Sequence, residues 1–431
     1  MLRELELHGV GPASHMVMAD IGSRFNVIAG DNGLGKSFLL EVAWWALTRT
    51  WHESPAVPSA NDASISFAFD GDQKLHRDRC AWSAAGQEWK RQAGRPPNPG
   101  LVIYARVDGS FSVWDPARNY RLYQRRDNSE ASTPPAYQFS ASDALWGLRG
   151  SSSAVLHGAG VATLCEGLVS DWRTWQLSGD ERFTLLTSML THLGPEGEPL
   201  QPGQLVRPSV EDVRLLPSIQ MPYRADVPIT YAPAGVKRIC LLAYLLAWTF
   251  SEHRAVAERI GQPLARQVTV LLDEPETHLH PRWQRTVLPS LLRAIAGWNH
   301  GPEVQLLVAT HSPMVLASLE PYFDLTQDRV WTLDFDKQST DVLLRSADWT
   351  RHGDVSRWLT SDVFDLRYAT SREAEEVLKQ AEDIYRQGDS VSDEAVAEVD
   401  DRLGALLNPH DPAVYRWRAL QRTRLQAMGR L

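Results

Sequence analysis

Apolar positions along this chain change rhythm several times, and each change marks an element. Residues 2–7 alternate polar and apolar side chains as a short strand does, and residues 25–29 (FNVIA) make a more buried strand. A helix-like stretch over 37–51 carries apolar residues on nearly every face, the pattern of a buried helix. From residue 64 to 119 the period becomes two, in SISFAF, LVIYARVDG and FSVW, with Gly- and Asp-containing turns between them. An antiparallel sheet subdomain is expected there. Residues 126–135 (RDNSEASTPP) are polar and aperiodic, a candidate flexible loop.

Helices are expected over about 142–193, followed by a Pro- and Gly-rich connector over 194–226. Next come a long apolar helix (235–253), a buried strand (268–272), a helix (282–298), a second buried strand (305–309) and a third (329–335). The remainder reads as helical. Thr370-Ser371-Arg372-Glu373 has the form of a capping box, with Ala374, Val377, Leu378, Ala381 and Ile384 following at helical spacing. Ser392 can cap a further helix with Val396, Val399, Leu403 and Leu406 on one face, stopped by Asn408-Pro409. There is no internal repeat and no sustained heptad segment.

These elements occupy 431 residues, more than one ordinary domain needs. The chain is 43% hydrophobic and 23% charged, normal for a globular protein with a sizeable core. Its net charge of −9 argues against bulk attraction to nucleic acid or to an anionic membrane, so such contacts would need a local patch. Tyr415, Arg416, Trp417, Arg418, Arg422 and Arg424 form one mixed aromatic and basic candidate for DNA or RNA; Arg118, Arg121, Arg125 and Arg126 form another. Solvated surface is the alternative for both. Cys80, Cys165 and Cys240 are too few and too scattered for a disulfide framework or a zinc site, which points to a reducing cytoplasm. The N-terminal residues have no signal-peptide pattern, and the strongest apolar run, 239–250, is short for a bilayer. A soluble cytoplasmic protein without membrane contact is expected.

The chemistry concentrates in three places. Gly30-Asp31-Asn32-Gly33-Leu34-Gly35-Lys36-Ser37 fits G-x-x-x-x-G-K-[ST] in full, between a strand and a helix. Glycines let such a loop curl so that backbone N–H groups face phosphate oxygens. The lysine reaches the β- and γ-phosphates, the serine ligates Mg²⁺, and the helix presents its positive end. Asp273-Glu274-Pro275-Glu276 follows a buried strand, where open α/β sheets bind ligands. Asp273 suits Mg²⁺, directly or through water, and Glu274 suits orienting or deprotonating an attacking water. Thr310-His311-Ser312-Pro313 follows the next apolar strand, and His311 there can bond a γ-phosphate.

GDNGLGKS, LLDEPETHLHP and VATHSPMVL together resemble the Walker A, Walker B and switch-histidine motifs of the ABC-type ATPase heads of the RecF, SMC and OLD group. The resemblance covers roughly residues 1–345 and is strongest to single-chain ATPases of prokaryotic anti-phage and mobile-element systems, including OLD-like and Septu-type proteins. It implies an α/β P-loop NTPase fold of ABC/SMC-head type with an antiparallel β subdomain and a helical C-terminal extension. The implied head runs over 1–345, with a β-rich lobe (about 1–140), a helical insert (about 141–226) and a signature and Walker B lobe (about 227–345). Residues 346–431 form the extension, a candidate docking region for a partner.

The resemblance further implies that ATP and Mg²⁺ bind at residues 30–37, with Ser37 and Asp273 on the metal and Lys36, Glu274 and His311 catalytic. Two heads would then sandwich two ATP molecules, each site completed by a signature loop of the partner head. The matching loop here is Tyr231-Ala-Pro-Ala-Gly-Val-Lys-Arg238, with Ala234 and Gly235 toward the phosphate. Pro233 stands where the group carries a serine, so slow turnover is expected. Gln176 is the candidate for the glutamine that senses metal and water. The chain lacks the coiled coil of SMC proteins and has no room after residue 345 for the Toprim nuclease domain of OLD proteins. A head acting on a separate effector, a nuclease encoded nearby, is the first expectation. A RecF-like repair ATPase that binds DNA directly and a scaffold with little turnover are the alternatives.

Overall fold

Strand and helix boundaries follow the rhythm of the sequence closely near the N-terminus. The computed structural model describes residues 1–430 except 53, 73, 91–96, 121–135, 152–160, 196, 224 and 299. The expected loop at 126–135, and Arg121, Arg125 and Arg126, lie outside them. The chain divides into two units, Met1–Gly353 and Asp354–Leu431.

In the first unit, β1 (Leu2–Val10) and β2 (Ala13–Met18) form a hairpin, and β3 (Phe25–Gly30) leads into α1 (Lys36–Thr48). Strands β4 (Ser64–Asp70), β5 (Leu75–Ser83) and β6 (Glu88–Trp89) join the hairpin in a five-stranded antiparallel sheet, ordered β2-β1-β4-β5-β6. Strands β7 (Leu101–Ala105), β8 (Phe111–Trp114) and β9 (Tyr137–Phe139) come next, then α2 (Ala141–Trp146). The hairpin of β10 (Leu148–Ser151) and β11 (Val161–Cys165) precedes α3 (Leu168–Ser178) and α4 (Glu181–Leu193). A short pair, β12 (Ser218–Gln220) and β13 (Asp226–Pro228), lies in the connector before α5 (Ala234–Ile260). The unit closes with β14 (Gln267–Asp273), α6 (Pro281–Gln284), α7 (Val287–Ala296), β15 (Glu303–Ala309), α8 (Pro313–Leu319), β16 (Arg329–Asp336) and β17 (Asp341–Ala347).

A second sheet has eight strands in the order β17-β16-β3-β15-β14-β7-β8-β9. Its centre, β16-β3-β15-β14-β7, is parallel, so all five strands end at one edge. Register fixes who meets there. Asp273 lies opposite Ala309, Ala309 opposite Ile28, and Leu272 opposite Ala105. Helix α1 is apolar all round because it packs between the two sheets. Trp44 and Trp45 are fully buried among residues of β1, β4, β7, β14 and β15, and replacing either by alanine is expected to cost about 3–5 kcal/mol.

Four expectations need correction. LVIYA and FSVW belong to the central sheet, not to the antiparallel subdomain. Leu101, Val102, Ile103 and Tyr104 are all buried, which is the continuous apolar run of a strand covered on both faces rather than an alternating one. The helical stretch expected over 142–193 is interrupted by the β10–β11 hairpin. A strand follows β16 where none was expected, because β17 pairs with it along the sheet edge. Helix α5 runs on to Ile260, ended by Gly261 in the left-handed conformation. At 27 residues it is long and apolar enough to span a bilayer, which the 239–250 run alone had not suggested. Its apolar residues, including Tyr244, Leu246 and Trp248, are nevertheless buried in this unit.

The second unit contains α9 (Val355–Leu359), α10 (Arg372–Gln387), α11 (Asp393–Leu406), α12 (Pro412–Leu420) and α13 (Arg422–Ala427). Val377, Ile384, Val396, Leu403, Val414 and Leu425 build its core. The cap of α10 is Ser371, whose hydroxyl accepts from the Ala374 N–H, one residue on from Thr370. Half of the tail patch is committed to this bundle, while Tyr415, Arg416 and Arg422 are exposed. Trp417 is buried, Arg418 pairs with Asp400 at 3.3 Å and Arg424 with Asp393 at 2.6 Å.

Candidate functional site

The loop between β3 and α1 curls because Gly30, Gly33 and Gly35 adopt φ of +140°, +81° and +97°. At Gly30 the need is also steric, since a Cβ would stand 2.3 Å from the Leu333 carbonyl oxygen. Asp31, Asn32 and Gly33 are exposed at the tip, and Leu34 packs against the core beneath. The first turn of α1 contains no acidic residue, so its free N–H groups and dipole are open to an anion. Lys36 is 5% exposed and folds back over the loop, donating to the Gly30 and Asp31 carbonyls at 2.8 Å each.

Across the edge, the Ser37 hydroxyl donates to Asp273 Oδ1 at 3.0 Å, joining residues 236 apart. Glu274 adopts φ +45°, with its N–H bonded to the Ala309 carbonyl at 2.9 Å. Its carboxylate meets His311 Nε2 at 3.2 Å. Glu276 completes the edge. Its Oε1 accepts from the Thr310 hydroxyl at 2.6 Å and from the His311 N–H at 2.9 Å.

Burial sets the electrostatics. It lowers the Lys36 pKa from the usual lysine value, opposed by Glu274 and Asp273. It raises Asp273, opposed by the hydrogen bond from Ser37. It lowers His311, with Lys36 adding to the effect and Glu274 opposing it. A neutral imidazole between Lys36 and Glu274 is the consequence near neutral pH.

Residues 109–317, which contain Asp273, Glu274 and His311, match the family model described as "AAA domain, putative AbiEii toxin, Type IV TA system". A stretch of 60 residues, 14% of this chain, is 40% identical to "Retron Vc95 probable ATPase" of Vibrio cholerae serotype O1 biovar El Tor and covers 10% of it. Another, of 149 residues or 34% of this chain, is 28% identical to "Retron Ec83 probable ATPase" of Escherichia coli and covers 23% of it. The matches thus span less than a quarter of either relative. The fold is α/β, with a central parallel sheet and the strand, glycine-rich loop and helix arrangement of a P-loop at β3–α1. Among solved structures, the SMC head domain from Thermotoga maritima aligns with 81% of this chain and 99% of its own, at 13% identity and a TM-score of 0.39. An SMC head bound to the C-winged helix domain of ScpA gives 81%, 98%, 13% and 0.41.

At this edge Lys36, Ser37, Asp273, Glu274 and His311 converge, while other expected residues do not. Gln176 lies on α3, where Oε1 accepts from Trp172 Nε1 at 3.2 Å and Nε2 donates to the Gly203 carbonyl at 2.9 Å. It fastens the connector to the helical insert rather than reaching the loop. The strand beside Asp273 is β7, and the residue that follows it is Arg106. Ala234 and Gly235 open α5, capped by Pro233 without a side-chain bond. Gly235 lies against its own chain, since a Cβ there would meet the His278 carbonyl oxygen at 2.6 Å.

Arg106, Arg238 and Glu276 are site residues that the motifs did not single out. Arg106 is 8% exposed, stacks over Tyr104 at 4.8 Å and lies 3.6 Å from Glu41. Glu276 stood inside the acidic motif but carried no role. The parallel register that places β7, β14 and β15 side by side reveals Arg106 and Glu276, and Arg238 joins them from α5.

Proposed function

We propose that this chain binds ATP with Mg²⁺ at residues 30–37 and hydrolyses it in the cytoplasm, slowly. The convergence of Lys36, Ser37, Asp273, Glu274 and His311 at one strand edge carries the proposal. A hydroxyl and a carboxylate oxygen 3.0 Å apart suit Mg²⁺, a hard cation that binds through one or two carboxylates and keeps its other positions for phosphate and water. Ser37 and Asp273 would hold that ion, which when bound neutralises phosphate charge. Lys36 would exchange loop carbonyls for phosphate oxygens. Glu274 would accept a proton from the attacking water or orient it, and His311, bonded to Glu274, would report the γ-phosphate.

Head-to-head dimerisation on ATP and control of a separate effector, a nuclease, in prokaryotic defence against phage or foreign DNA complete the proposal. The retron ATPases among the relatives support the defence role. Direct DNA binding of RecF type is less favoured, because Arg418 and Arg424 are paired with acids. A scaffold with little turnover is favoured by one observation: Pro233 brings no hydroxyl to the start of α5.

Phosphate release and nucleotide binding test the proposal. Lys36→Ala should lose both. Glu274→Gln should lose release, keep binding, and shift to a dimer with ATP in light scattering. Undiminished release from Glu274→Gln would sink the assignment, as would no nucleotide uptake by the wild type in calorimetry.

A further inference from the structure

Arg238 stands in the second turn of α5, and its guanidinium leaves the helix to reach the ends of two strands. Nη1 donates to the Val107 carbonyl at 2.6 Å. Nη2 donates to the Glu274 carbonyl at 3.0 Å and the Arg106 carbonyl at 3.3 Å, with that of Asp273 at 3.5 Å. Five N–H donors in a rigid fork suit such a cluster, and a lysine ammonium would not span it. Burial draws the Arg238 pKa below the usual arginine value, opposed by Glu276 and Asp273.

Glu274 is what makes this clamp matter. Its φ of +45° is left-handed, a conformation unfavourable for a residue other than glycine, which persists only where the surroundings hold it. The peptide before Glu274 is held by the Ala309 carbonyl on the neighbouring strand. The peptide after it is held by Arg238. With both peptides fixed, the carboxylate points at His311, 3.2 Å away.

We propose that Arg238 is a positioning residue that locks the left-handed backbone of Glu274 and thereby aims its carboxylate for water activation. The inference rests on the hydrolytic function proposed above. Arg238 acts through the Glu274 backbone, so nucleotide affinity is not its province. A cavity of about 290 Å³ borders Arg238, Asp273 and Leu242, with room for a free guanidinium ion where the side chain has been removed.

The experiment compares wild type, Arg238→Ala and Arg238→Lys in steady-state phosphate release and in binding of a fluorescent ATP analogue. For Arg238→Ala, kcat should fall by about 30-fold or more while the nucleotide Kd stays within about threefold. Millimolar guanidinium should restore kcat at least about fivefold, and urea or methylammonium should not. Arg238→Lys should fall between the two. If Arg238→Ala does not fold by circular dichroism, the split between kcat and Kd in Arg238→Lys decides. An unchanged kcat overturns the inference, as does a loss of kcat that brings loss of nucleotide binding and no response to guanidinium. Absence of release from the wild type sinks the hydrolytic function and this inference with it; wild-type release beside an unchanged variant sinks only the latter.

Discussion

Removing the Glu276 carboxylate tests how the acidic turn is tied to the segment that follows β15. Glu276 is 9% exposed and Thr310 is fully buried. Oε1 alone receives the Thr310 hydroxyl and the His311 N–H. In Glu276→Ala both donors lose a charged acceptor, at about 1.5 kcal/mol each by the lower figure for such bonds, so about 3 kcal/mol in all. With a denaturant slope of about 3 kcal/mol per M, the urea midpoint should fall by about 1 M, followed by tryptophan fluorescence. Glu276→Gln keeps the acceptor oxygen and removes the charge. Burial raises the Glu276 pKa above 4.5, opposed by the Thr310 and His311 bonds. The folded state therefore holds the proton more tightly than the unfolded state. The stability from this group is complete below about pH 4.5 and is lost as pH rises through the folded value. Glu276→Gln should consequently match or exceed the wild type at neutral pH and lose that advantage in acid. A wild-type midpoint for Glu276→Ala would refute the reasoning. A Glu276→Gln variant as unstable as Glu276→Ala would show that charge, not the shared oxygen, holds the segment.

Two further outcomes are expected. Pro233→Ser supplies both a cap for α5 and a hydroxyl at the turn before it. The melting transition should reflect about 1 kcal/mol of added stability, and phosphate release should rise several-fold; no change in either would remove Pro233 as the brake. Because burial and Lys36 hold the His311 pKa below that of an ordinary histidine, phosphate release should decline only at a lower pH than an ordinary histidine would set. His311→Ala should remove that acid limb from the pH–rate profile, and an unaltered limb would assign it to another group.

The glycine-rich loop at 30–37 and the acidic turn were legible as structure because each is a contiguous string with fixed spacing. The same holds for the buried strands 268–272 and 305–309, whose apolar runs admit few other readings. Helix α1 was legible as buried, though not as the layer between two sheets. The sheet that LVIYA joins depends on β14, far along the chain, and no local pattern encodes that partner. Arg238 escaped for a related reason, since what it touches is backbone carbonyl, which leaves no residue type to recognise. Gln176 suggested itself by position in the chain, but its amide is taken up by Trp172 and the Gly203 carbonyl. In the tail, Trp417 and Arg418 had the composition of a nucleic-acid patch, yet the second unit is small and uses them for its own core and ion pairs.

The strand that ends in the phosphate loop has β15 and β16 as its sheet neighbours, and both are encoded long after it. On a ribosome adding about 5–20 residues per second, β3 waits on the order of tens of seconds for an edge to pair with. During that interval an apolar strand lacks its neighbours and a tryptophan-rich helix has only the β1–β6 sheet to cover it. Nascent chains of this protein should therefore lean on chaperones early, and should gain the capacity to hold nucleotide only after residue 309 has emerged.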